Sequence, residues 1–189
     1  MYLIKCNIKY ENTGEVISLK KVAVMGNIDH GKTKLLSAIA FAFDGEKRNV
    51  SENPEMIFRT EAEIEFGGEK YLFFDYPEDI SYEENLDGTE DFAVIVIAAT
   101  DGPMSGTEKA IELCKEKGIE KIAVFMSMCD LVDDEEIIEL VEMDVQEMLS
   151  EYGMDDVPFV RGSARNTLIE RSVWADGTEK LVETVAGLI

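Results

Sequence analysis

The clearest chemistry in this chain lies in one octapeptide, Gly26-Asn27-Ile28-Asp29-His30-Gly31-Lys32-Thr33, which fits G-x-x-x-x-G-K-T. Glycines in such a loop let backbone N–H groups turn inward around a phosphate. The lysine adds a point charge, and the threonine hydroxyl can ligate magnesium. The candidate phosphate-binding residues are Gly26, Asn27, Ile28, Asp29, His30, Gly31, Lys32 and Thr33, with the backbone N–H of Lys34 in reach of a further phosphate.

A phosphate loop needs a strand before it and a helix after it, and the flanks supply both. Lys21–Met25 reads as a core strand and Lys32–Phe43 as a helix without breakers. Asp44–Glu55 is polar, with Gly45 and Pro54, and reads as a loop. Thr60–Phe66 and Lys70–Asp75 flank Gly67-Gly68 as a hairpin. Ala93–Ala99 and Ile122–Met126 are apolar runs suited to strands buried on both faces. Ser105–Lys117 is a helix closed by Gly118. Asp133 and Glu136 have capping-box spacing. They open a helix on which Ile137, Ile138, Val141, Val145, Met148 and Leu149 recur at helical period before Gly153 stops it. Val157–Val160 is a short strand and Asp176–Ala186 a last helix. Strands alternating with helices predict an α/β fold in three layers, with a mostly parallel six-stranded sheet and helices on both faces. Residues 1–19 read as an N-terminal extension, part of an extra hairpin (Tyr2–Tyr10, a turn at Asn12-Thr13-Gly14, then a strand), ahead of a domain at 20–189.

Composition narrows the partners. The chain has 189 residues, enough for one core, and a formal charge of −22. Residues 1–35 nevertheless carry six lysines against three acids, while the stretch between Lys121 and Arg161 holds twelve acids and no base. Positive charge sits where a phosphate site needs it. The rest of the surface repels nucleic acid and anionic membranes. No run of about 18 apolar residues could span a membrane, and the charged start does not read as a signal peptide. Cys6, Cys114 and Cys129 form no C-x-x-C pair, which fits free thiols in a reducing cytoplasm.

The phosphate loop is followed by Ala98-Ala99-Thr100-Asp101-Gly102-Pro103-Met104, by Cys129-Asp130-Leu131-Val132-Asp133-Asp134-Glu135-Glu136 with Glu139-Leu140-Val141-Glu142-Met143, and by Val160-Arg161-Gly162-Ser163-Ala164. In this order, over residues 20–189, the chain resembles the GTP-binding domain of the elongation factor Tu family of translational P-loop GTPases. The resemblance implies a guanine nucleotide, GDP or GTP, held with Mg2+. It places the metal at Thr33 and Asp75. It places the base between Ser127-Met128-Cys129-Asp130, where the family has N-K-C-D, and Ser163-Ala164-Arg165, where it has S-A-L. Asp130 would accept from guanine N1–H and N2–H2, Met128 would lie along the purine face, and a backbone N–H near Ala164 would meet O6. Ser127 is too short to span what an asparagine amide spans. The base-binding residues are thus Ser127, Met128, Asp130, Ser163, Ala164 and Arg165. No part of the chain resembles the β-barrels that carry much of the factor's tRNA binding, so the resemblance does not imply a working elongation factor.

The catalytic positions depart from the family. Asp75-Tyr76-Pro77-Glu78-Asp79 stands for D-C-P-G-H, so Glu78 replaces a glycine at the γ-phosphate and Asp79 the water-positioning histidine. Phe58 falls where the first switch has threonine, with Thr60 two residues on. His30 is the sole histidine and Gln146 the sole glutamine. Three readings follow: a guanine-nucleotide-binding domain with weak or absent hydrolysis; a pseudo-GTPase scaffold meeting a protein partner through the acidic helix 134–150; and an active GTPase using Asp79 as its catalytic base.

Overall fold

The computed structural model describes residues 19–51, 58–76, 85–169 and 173–188. Among them one sheet runs in the order β2-β3-β4-β1-β5-β6-β7. Its strands are β1 (Leu19–Gly26), β2 (Glu46–Ser51), β3 (Phe58–Phe66), β4 (Glu69–Asp75), β5 (Phe92–Ala98), β6 (Ile122–Ser127) and β7 (Phe159–Arg161). From β4 through β1, β5 and β6 to β7 all pairings are parallel, whereas β3 pairs antiparallel with β4 and with β2. The helices are α1 (Lys32–Ala42), α2 (Ser105–Lys117), α3 (Glu135–Glu151), α4 (Ala164–Ile169) and α5 (Gly177–Gly187).

Alternation along the central strands builds three layers. Val22 and Val24 of β1 face a core with Leu35, Leu36 and Ile39 of α1 and Leu181, Val182 and Val185 of α5. Ala23 and Met25 face the opposite core, with Ile111 and Cys114 of α2 and Ile138, Val145 and Leu149 of α3. β5 is buried along its whole length, as an interior parallel strand covered by helices on both faces must be. No helix among the described residues is long and apolar enough to cross a membrane.

The three-layer α/β architecture and the mostly parallel sheet are as expected from the sequence. Several details differ, among them the helix Ala164–Ile169, which the sequence reading does not contain. Glu46–Ser51, read as loop, forms a seventh strand against β3, from Glu46 opposite Glu63 to Ser51 opposite Phe58. A polar strand such as EKRNVS shows no alternating apolar pattern in sequence, and its pairing with β3 is what makes it a strand. The cap of α3 is Asp134, one residue beyond the expected Asp133, and its carboxylate accepts from Glu136 N–H at 3.0 Å. Ile137 of that helix is 47% exposed, so only part of the predicted apolar stripe is core. The expected N-terminal hairpin lies outside the described residues.

β1 lies between β4 on one side and β5 on the other, and where strand order switches in this way the carboxyl end of the strand is the expected place for a ligand crevice. Gly26 pairs with Val96, and Ala98 with Ser127, so the loops after β1, β5 and β6 meet there.

Candidate functional site

The loop from Gly26 to Thr33 connects β1 to α1 in a succession of left-handed turns. Gly26 has φ +138° and Gly31 φ +91°, with Asp29 at +61° between them. At Gly26 a Cβ would run into the Val96 carbonyl oxygen of β5, so only glycine lets β1 turn this close to its neighbour. Gly31 begins α1 with no side-chain cap and no acid in the first turn. The first N–H groups of α1 are therefore left for an outside acceptor, and the helix dipole favours an anion there.

Lys32 is 7% exposed, and its Nζ donates to Asn27 O at 2.7 Å. The ammonium folds back across the loop it belongs to. Lys34 and Ile28 are exposed. Asn27 donates from Nδ2 to Met104 Sδ at 3.1 Å, and Gly106 of α2 packs against it so closely that a Cβ there would stand 2.8 Å from Asn27 Cα. Gly106 escaped the sequence reading. Its only signal was a poor helix former in a helical first turn.

Thr33 Oγ1 donates to Asp75 Oδ2 at 2.7 Å, joining the start of α1 to the end of β4. A hydroxyl beside a buried carboxylate suits a hard divalent cation with oxygen ligands. Among the described residues no cluster of three or more His, Cys, Asp or Glu could hold a metal. A cation at Thr33 and Asp75 therefore needs water and phosphate oxygens to complete its shell. Thr60 of β3 is the residue opposite Asp75, two places beyond Phe58. Glu78 and Asp79 lie outside the described residues.

His30 is fully buried. Its Nδ1 meets the Val96 carbonyl at 3.4 Å as donor, which leaves Nε2 bare. Nε2 lies 3.9 Å from Asp101 Oδ2 and has no hydrogen-bond partner. Burial holds the imidazole below its ordinary pKa, against the opposing pull of Val96 and Asp101. The ring faces the sheet, so His30 shapes the loop from behind.

The loops after β6 and β7 lean on this turn. Ser127, 3% exposed at the end of β6, donates from Oγ to His30 O at 2.7 Å. Met128 adopts φ +59° and is half-buried, with Cε 3.7 Å from where a Gly31 Cβ would be. Asp130 follows on a short 3-10 turn, half-buried. Cys129 N–H donates to Gly162 O at 3.3 Å and Gly162 N–H to Met126 O at 2.9 Å, which ties this loop to the one carrying Ser163, Ala164 and Arg165. Ser163 is buried, with Oγ accepting from Asn166 N–H at 3.2 Å, and Ala164 is buried beside it. Arg165 is exposed on α4. The thiols beneath are inert: burial pushes Cys114 up to about 12 and Cys129 up to about 11.

Arg161, at the end of β7, braces the second loop against α3. Its Nε and Nη2 each meet a Glu142 carboxylate oxygen at 2.7 Å, and Nη1 meets Glu135 Oε1 at 3.1 Å. Glu142 holds the guanidinium well above its ordinary pKa. The acidic helix is thus partly neutralised on its sheet side. On its outer side Ile137, Leu140 and Met143 are 47%, 58% and 66% exposed.

Of the residues expected from the sequence to form one site, those among the described residues lie at the carboxyl edge of the sheet: the Gly26–Thr33 loop, Thr33 with Asp75, and the loops after β6 and β7. The family model described as Elongation factor Tu GTP binding domain matches residues 18–189, which takes in each of these segments. With the fold, the loop geometry and that match in agreement, the chain belongs to the elongation factor Tu GTP-binding domain family.

Proposed function

We propose that the domain binds GDP or GTP together with Mg2+, and that it hydrolyses GTP weakly or not at all. The observation that carries the binding is the open N-terminus of α1. It has no side-chain cap and no acid in its first turn, and Lys32 is folded over the loop that precedes it. The other long acidic-side helix is a control within the same chain: the N-terminus of α3 is already filled by Asp134, with Glu135 and Glu136 behind it. One helix keeps its donors for a guest anion and the other satisfies them internally.

Magnesium would be held by Thr33 directly and by Asp75 through water, with phosphate oxygens completing the shell. It would neutralise the phosphate charge that this acidic chain otherwise repels. Weak turnover rests on what is missing around the third phosphate. His30, the sole histidine, is buried against Val96. Gln146, the sole glutamine, donates to Asp155 O at 3.0 Å from α3. Neither is free to position an attacking water. In sequence, Glu78 and Asp79 would bring two further carboxylates toward the γ-phosphate, where like charges oppose one another.

Titration calorimetry with GDP, GTP and ATP, with and without magnesium, tests the binding; no heat with either guanine nucleotide would sink it. Phosphate release over hours tests turnover. Glu78→Gly with Asp79→His should raise the rate. A clear wild-type rate abolished by Asp79→Ala would instead make Asp79 the base of an active GTPase.

A second reading has its own support. Ile137, Leu140 and Met143 stand exposed on the acidic face of α3, which suits a protein partner there whether or not nucleotide is turned over. A scaffold of this kind would survive loss of nucleotide binding in Lys32→Ala, and a pull-down comparing that variant with Leu140→Glu separates the two roles.

A further inference from the structure

Guanine offers donors at N1 and N2 along one edge and acceptors at O6 and N7 along the other. A protein that reads the second edge must supply hydrogens. Among the side chains of the first base-side loop none is spare. The one hydroxyl hydrogen of Ser127 goes to His30 O at 2.7 Å, and the group is 3% exposed. Met128 is a thioether and has none. The Cys129 thiol donates to Met126 O at 3.2 Å. Asp130 as a carboxylate only accepts. The side chains of this loop therefore offer a base only lone pairs and a methyl group.

We infer that the site reads guanine through its N1 and N2 edge at Asp130 and leaves N7 unread, so guanine nucleotides altered at N7 are ligands as good as GDP itself. This rests on the guanine-nucleotide reading above. Ser127 is then a positioning residue. Its hydroxyl ties β6 to the phosphate loop and sets the spacing between Asp130 and the phosphates, without touching the base. A single hydroxyl hydrogen cannot serve the His30 carbonyl and N7 together. An amide, with two hydrogens, could serve both.

The test compares GDP with 7-deaza-GDP, in which N7 is replaced by C–H while N1, N2 and O6 are kept. Wild-type protein should bind the two within about twofold, since a hydrogen bond that is not made cannot be lost. Ser127→Ala should weaken both by the same factor, because it loosens the loop and not a base contact. Ser127→Asn should create a preference for GDP of about tenfold. Wild-type binding of GDP with a tenfold loss for 7-deaza-GDP would overturn this inference while leaving the guanine-nucleotide reading intact. So would a Ser127→Ala variant that weakens GDP alone. No binding of GDP would overturn the broader reading and this one with it. Should Ser127→Asn fail to fold, the wild-type ratio decides by itself.

Discussion

The proposed phosphate end and base end of the site are built from the same kind of part, a loop leaving the carboxyl edge of the sheet, yet they stand differently. At the proposed phosphate end the loop residues are in place: Gly26 and Gly31 turn the chain, Lys32 lies across it, and Thr33 meets Asp75 at 2.7 Å. At the proposed base end Asp130 would read the purine's N1 and N2 edge, and Ser127 has turned its hydroxyl to the His30 carbonyl. A cradle of backbone N–H groups depends on glycines and on a helix end, so little of it can be altered without loss. A base pocket made of separate side-chain contacts can shed one and keep the rest, at roughly 0.5–1.5 kcal/mol for each hydrogen bond. The two ends also lean on each other, since Ser127 holds the phosphate loop and Met128 lies over Gly31.

If that contrast is right, damage at the phosphate end should cost most. Lys32→Ala should lower GDP affinity by about 100-fold or more, because it removes a buried cation from the proposed phosphate site. Calorimetry that finds less than a threefold change would place the phosphates elsewhere. Asp130→Asn should come next. We expect about a 10–50-fold loss for GDP and a gain for xanthosine diphosphate, whose O2 acceptor complements an amide, and competition between the two nucleotides reads it directly. An unchanged GDP affinity would mean that the base is not read at Asp130.

A smaller effect separates the two ends. Gly106→Ala should push its methyl against Asn27, where 2.8 Å to Cα leaves no room, and so displace the phosphate loop from behind. GDP and 7-deaza-GDP should both weaken, by about five- to tenfold, with the preference for guanine over adenine nucleotides unchanged. A changed preference would show that the α2 end reaches the base side as well.

The smallest expected effect is one of pH. Burial lowers the His30 pKa from 6.5. Between the lowered folded value and 6.5 the unfolded chain binds a proton that the folded chain refuses, so stability falls as pH drops through 6.5 and levels off below the folded value. Relative to His30→Gln, wild-type protein should lose stability as the pH falls through 6.5. Parallel melting curves for the two proteins would mean that Asp101, 3.9 Å from Nε2, receives the proton's charge and keeps the folded pKa near its ordinary value.

Much of this was legible beforehand for a local reason. The motif Gly26–Thr33, the buried runs of β5 and β6 and the helix Ser105–Lys117 each announce themselves within a few residues, because a turn, an interior strand and an amphipathic helix have local signatures. β2 was missed because Glu46–Ser51 has no apolar face to betray it. Only a neighbour, β3, makes it a strand. The cap of α3 fell one residue late because Asp133 and Asp134 are both good caps, and local spacing could not choose between them.

The amino-acid sequence by itself therefore determined the fold class, the phosphate loop and the identity of the residues gathered around it, since these depend on residue types at short spacing. What each of those residues does with its hydrogens was decided by the tertiary structure. Ser127 and His30 are 97 positions apart, His30 and Val96 are 66 apart, and Gly106 meets Asn27 across two elements. A serine reads as a weak base contact in the chain and as a clasp in the fold. The reason is that a hydroxyl has a single hydrogen to give, and packing brings the His30 carbonyl within 2.7 Å of it.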